Sequence, residues 1–160
     1  MTRLLTATAL VAALTAWGCG ATRQAASSTA AAFAPALTSA TATFTTLNDG
    51  KDRDSAVSLQ LLKSNAELGA ELRHVGTEFD DNTTSAPMAL TLSAPFRTTD
   101  ISTGQVRVRM APDGQDDWNF NLRLSLQFAD GTTRNFFWNG VALNNAAPER
   151  VLMLSAAQVS

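Results

Sequence analysis

Between Trp118 and Phe128 the chain alternates without a break. Trp118, Phe120, Leu122, Leu124, Leu126 and Phe128 are apolar, and Asn119, Asn121, Arg123, Ser125 and Gln127 between them are polar. A period of two sends successive side chains to opposite faces of a strand, so one face enters a core and the other meets water. A helix would scatter the same residues around its axis. Ala129-Asp130-Gly131 follows as an Asp-Gly hairpin signal. Thr132–Trp138 is the expected return strand, ending at an Asn139-Gly140 turn.

Weaker alternations mark the other elements. Thr41–Leu47 centres on Phe44, Ser55–Lys63 runs through Val57, Leu59 and Leu61, and Gln105–Ala111 through Val106, Val108 and Met110. Pro87–Ser93 places Met88, Leu90 and Leu92 in phase, and Arg150–Ser155 closes the pattern. Ala66–Val75, with Leu68 and Leu72, fits a strand or a short helix. Eight short strands divided by turn residues predict an all-β fold, an eight-stranded antiparallel β-sandwich or jelly roll. The crossover helices of ten or more residues that a parallel sheet requires are missing.

The first forty residues break this pattern. Arg3 and the apolar run Leu4–Leu14 have the form of a signal peptide, too short for the roughly 20 residues that span a bilayer. The run leads to Ala16-Trp17-Gly18-Cys19, which contains the only cysteine of the chain. That tetrapeptide resembles a bacterial lipobox, with Ala16 where Leu is preferred and Trp17 where a small residue is preferred. The resemblance implies cleavage after residue 18 and lipidation of Cys19. Acyl chains contribute about 0.8 kcal/mol per buried methylene. The alternative is an ordinary secretory signal cut further on. Gly20, in place of an aspartate, leans toward an outer-membrane lipoprotein, again by resemblance. Residues 19–40 are rich in Ala, Ser and Thr and read as a flexible tether of about 25 Å end to end; a short helix over Gln24–Ala34 is the alternative. The expected organisation is therefore signal peptide 1–18, lipidated cysteine and tether 19–40, and sandwich 41–160.

Composition removes several functions. The net charge is −2, one unit more negative once Arg3 leaves with the signal, so no clustered basic surface for nucleic acid is expected. One cysteine allows no internal disulfide, and the single histidine, His74, cannot build a His-based zinc site. No nucleophile elbow, P-loop or dinucleotide motif occurs. Carboxylate pairs stand only in expected loops, so an enzyme is not expected.

Four segments, in order, carry a further resemblance: TLNDGKDRDSAV at 46–57, EFDDNTT at 78–84, PFRTTDIS at 95–102 and GQDDWNFNL at 114–122. Together they resemble PLAT (lipoxygenase-homology) domains, with Leu47 where the family often has Gly and Phe79 where it often has Trp. The resemblance implies an eight-stranded antiparallel sandwich serving as a non-catalytic module for lipid, membrane or protein contact, in some members with calcium.

Strict strand reversal would place the loops Asn48–Asp54, Gly76–Ala86, Pro112–Asp117 and Asn139–Glu149 at one end. That end would hold ten of the chain's 14 acidic residues. Ca²⁺ takes six to eight oxygen ligands, so Asp49, Asp52, Asp54, Asp80, Asp81, Asp113, Asp116 and Asp117 form the candidate metal set, against the alternative that they are solvated turn residues. Trp118 is expected in the core. Arg107, Arg109 and Arg123 point away from it and are a candidate basic strip on one sheet, or simply a solvated face. One of Phe137 and Trp138 is a candidate exposed aromatic. The expected function is a non-catalytic cell-envelope lipoprotein presenting a binding sandwich, anchored to the membrane by its lipid, with a protein, lipid or glycan ligand. The alternatives are a carbohydrate-binding module, which needs exposed aromatics, and an assembly partner in an envelope complex, which needs an open edge strand or an apolar patch.

Overall fold

The computed structural model describes residues 34–159; the signal segment, Cys19 and the stretch of tether before Ala34 lie outside them. Ten strands follow in chain order: β1 Leu37–Thr46, β2 Ala56–Leu62, β3 Leu68–Val75, β4 Met88–Ala89, β5 Thr91–Leu92, β6 Gln105–Ala111, β7 Asp117–Phe128, β8 Thr133–Asn144, β9 Glu149–Met153 and β10 Gln158–Val159. They form two antiparallel sheets of five, in the orders β10-β8-β7-β1-β4 and β5-β3-β2-β6-β9. The fold is the expected all-β sandwich.

The core lies between the sheets, and period two explains who enters it. On β7 every even residue from Trp118 to Phe128 is buried, and on β6 so are Val106, Val108 and Met110. Each buried Leu, Val or Phe side chain contributes roughly 1.5–3 kcal/mol of transfer free energy. Beneath one end of the sandwich Phe44, Phe79, Trp118 and Phe120 form a single aromatic cluster. Phe79 stacks on Trp118 at 5.1 Å between ring centroids, and the Trp118 indole nitrogen donates to Thr46 Oγ1 at 3.2 Å.

Four expectations change, and at Ala66–Val75 the strand is found rather than the alternative short helix. Residues 34–40, expected in the tether, belong to the sandwich: Leu37 and Ala40 are buried, the Leu37 amide donates to the Phe96 carbonyl at 2.7 Å, and Arg97 Nη1 donates to the Ala34 carbonyl at 2.7 Å. Residues that resemble a tether are held there by backbone pairing with Phe96 and with β7. Ala66–Val75 is a strand from Leu68 onward, because β2 and β5 supply partners on both its sides. The expected strand Pro87–Ser93 is two. Met88–Ala89 pair with β1, Thr91–Leu92 pair with β3, and the chain changes sheets at buried Leu90. Leu92 is consequently exposed although it is in phase with Leu90. Asn139-Gly140 does not end a strand. β8 runs on to Asn144, and the pair forms a bulge opposite Asn121 whose side-chain Oδ1 accepts from the Gly140 amide at 2.9 Å. Gly140 takes φ +62 there, the left-handed region open to glycine. Finally, β10 follows a short 3-10 turn at Leu154–Ala156, so the closing segment is β9 and β10 rather than one strand.

Candidate functional site

The acidic loops do meet at one end. Lys51 and Phe79 bridge the β1–β2 and β3–β4 loops, and the Asn119 amide donates to the Asp49 carbonyl at 3.0 Å. The Asp113 amide donates to Ser55 Oγ at 3.0 Å, and the Asp116 amide to Asn145 Oδ1 at 3.1 Å. Gly50 allows the closest approach: a Cβ there would lie 2.6 Å from the Phe79 carbonyl oxygen. Strand parity thus places the loops correctly, the last of them shortened to residues 145–148 by the extension of β8.

The carboxylates do not gather into a ligand set. Among the described residues no group of three or more His, Cys, Asp or Glu side chains stands close enough to hold a metal ion. Asp49, Asp52, Asp54, Asp80, Asp81, Asp113 and Asp117 are exposed, and Asp49 Oδ2 accepts from Asn119 Nδ2 at 3.2 Å. The physical reason is Lys51, whose residue is only 1% exposed. Its ammonium donates to the backbone carbonyls of Asp52 and Ser55 and lies 5.6 Å from the Phe79 ring centroid. Burial pushes this ammonium below the ordinary lysine value of 10.5, while Asp116, Asp54, Asp52 and Glu78 pull it back up. Asp116 is itself buried, and its Oδ2 has no hydrogen-bond partner. A lysine ammonium therefore stands among the carboxylates of this end. A single basic residue between Gly50 and Asp52, inside an acidic run, is the signal that marks it.

The three arginines do not share a face. Arg107 and Arg109 lie on β6 and Arg123 on β7, in different sheets, and all three point outward, so they occupy opposite sides of the sandwich. Arg107 Nε stands 3.4 Å from Glu149 Oε1, and Arg123 covers the Phe137 ring at 5.5 Å. His74 is exposed at a bulge of β3 with φ +50.

Phe137 and Trp138 meet at a different place, the flank where β8, β9 and β10 come together. They line a groove of about 550 Å³ with Asn139, Arg150, Leu152 and Gln158 among its other walls. Trp138 is buried, its indole nitrogen donating to the Met153 carbonyl at 3.3 Å, and Phe137 is half-buried under Arg123. Three of the four exposed large aliphatic side chains, Val151, Met153 and Val159, belong to β9 and β10 on this flank. The Val141–Leu143 alternation beyond the glycine was the sequence signal for this longer β8. No family model, curated protein or solved structure matches the chain.

Proposed function

We propose that the protein is a non-catalytic binding module exported to the cell envelope and held at a membrane, as an outer-membrane lipoprotein, by lipid on Cys19. Its contact is with a protein, made through the flank of β8, β9 and β10. The supporting observation is the roughly 550 Å³ groove there, lined by Trp138, Val141 and Leu152, on a flank that also exposes Val159 on β10 and, on the outer face of β9, Val151 and Met153. Exposed aliphatic groups beside a concave surface are the usual mark of a contact site. A PLAT-like role in lipid or protein contact is compatible with this reading, and calcium is no part of it. A glycan ligand has less support: among the described aromatic residues all but Phe137 are buried, and stacking on sugars needs exposed rings.

Two measurements test the proposal. Cys19→Ser moves the protein from the membrane fraction to the soluble one. A photo-cross-linking residue placed at Asn139 or Gln158 in cells yields one discrete protein adduct, while the same group at Ser64 or Asn65, in the β2–β3 turn, yields none. Adducts of equal yield from the flank and from the β2–β3 turn, or none from the flank, reject it.

A further inference from the structure

We infer that the flank takes an extended peptide segment of a partner protein, added as a strand along β8, with a carboxylate of that segment bound by Arg150. The inference rests on the contact surface proposed above and names its occupant.

Strand β8 has a partner on one side throughout, β7. On the other side β10 covers only Phe136 and Phe137, and from Trp138 to Leu143 no described strand pairs with it. Alternate residues of such an edge point their N–H and C=O groups outward, a template for another strand. The free stretch is about six residues, roughly 20 Å at 3.3 Å per residue. β10 enters the same row at Gln158, opposite Phe137, after the 3-10 turn Leu154–Ala156, so a strand added at Trp138–Leu143 would lie in line with an existing ladder. The bulge at Asn139-Gly140 bends β8 where the groove opens.

The chemistry of the walls selects the occupant. Trp138, Val141 and Leu152 offer apolar surface, and Asn139 and Gln158 offer amides. No acidic residue lines the groove, in a chain whose net charge is −2. Its one charge is Arg150. On β9, Arg150 pairs with Val108 and Leu152 with Val106, both buried residues of β6, so Arg150 stands on the core-facing side of β9 and at the groove. It makes no ion pair among the described residues; its Nη1 donates only to the neighbouring Glu149 carbonyl at 3.3 Å. An arginine fork without a carboxylate, at the end of an apolar slot beside an open strand edge, matches a strand peptide carrying Asp, Glu or a terminal carboxylate.

The alternative role for Arg150 is to shield the edge from other chains, since inward charges on edge strands block pairing. The experiment separates the two. Random heptapeptides displayed on phage are panned against the purified full chain, and selected sequences are synthesised with blocked ends. The expected peptides carry an acid at one fixed position, protect the outward-pointing amides among residues 138–143 from hydrogen exchange, and lose binding when alternate peptide amides are methylated. Changing the acid to its amide weakens binding roughly tenfold, and Arg150→Ala weakens the acidic peptide by a similar factor but leaves the amide form unchanged. Arg150→Lys recovers part of the loss. Failure to select peptides, selection without an acid, or protection elsewhere overturns the inference. So does Arg150→Ala driving self-association with no effect on peptide discrimination, which would make Arg150 a shield. Flank adducts in cells without a selectable peptide reject strand addition alone; absence of flank adducts rejects the surface itself.

Discussion

Lys51 is the residue on which the acidic end turns. Its ammonium is buried among backbone carbonyls; Asp116 attracts it without forming an ion pair, and the buried Asp116 Oδ2 has no hydrogen-bond partner. Removing Lys51 leaves the Asp52 and Ser55 carbonyls without their donor and takes a counter-charge from buried Asp116, each stranded group costing roughly 1–3 kcal/mol. Lys51→Met is expected to cost about 3 kcal/mol in urea unfolding at neutral pH, and adding Asp116→Asn to recover at least about 1 kcal/mol. A cost equal in both backgrounds would show that the two groups are independent. The lowered pKa also has a sign. Between its folded value and 10.5 the unfolded chain holds the lysine proton more tightly than the folded chain does. Stability therefore rises with pH across that window. Lys51→Met removes that rise, seen as a flatter plot of unfolding free energy against pH. A second residue-scale prediction concerns Ala66, which adopts φ +62 in the β2–β3 turn. An L-residue there costs roughly 1–2 kcal/mol, so Ala66→Gly raises stability by about 1 kcal/mol, read as a higher urea midpoint at unchanged slope.

Among the elements, β7 carries the most. It pairs with β1 over nine positions of register and with β8 over ten, and its even residues fill the core. Its first core residue is Trp118, packed on Phe44, Phe79 and Phe120. Trp118→Ala removes the centre of that cluster and is expected to cost about 3–5 kcal/mol; a loss under 1 kcal/mol would mean that the four rings do not act together. This strand is fully legible in the sequence because its period of two is unbroken and one face is entirely polar. Pro87–Ser93 is legible as strand but not as two strands. Period two reports which side of the local backbone a residue occupies, and says nothing of which sheet the backbone joins. At Asn139-Gly140 the local signal misleads for a related reason. The same dipeptide suits a tight turn and a bulge, and here the Asn121 side chain and continued pairing with β7 hold the bulge.

At the scale of the molecule, the acidic end is a place of loops held by hydrogen bonds and by one internal cation. A ligand at 100 times its Kd contributes about 2.7 kcal/mol to the folded state, a shift of several degrees in a protein of this size. Excess Ca²⁺ followed by chelator is expected to leave the thermal midpoint unmoved, by calorimetry on the full chain. A reversible upward shift lost in Asp52→Ala or Asp117→Ala would restore the calcium site. The opposite sides of the sandwich divide Arg107 and Arg109 from Arg123, so charge reversal at Arg123 is not expected to alter any contact made through β6.

Local rules were enough for the fold class, the burial of the alternating residues and the end at which the acidic loops collect. Strand reversal is a counting argument, and the one strand that proved to be two crosses between sheets without changing direction, so the parity survived. Three things were decided only in three dimensions. The distance between carboxylates depends on loop paths, and Lys51 entered the space between them. The separation of the arginines depends on which sheet each strand joins. The groove at Phe137, Trp138 and Arg150 exists because the segment before β10 turns as a 3-10 helix and joins β8 only at Phe137, leaving Trp138–Leu143 without a described strand partner, a property of strand partners that no stretch of sequence carries by itself.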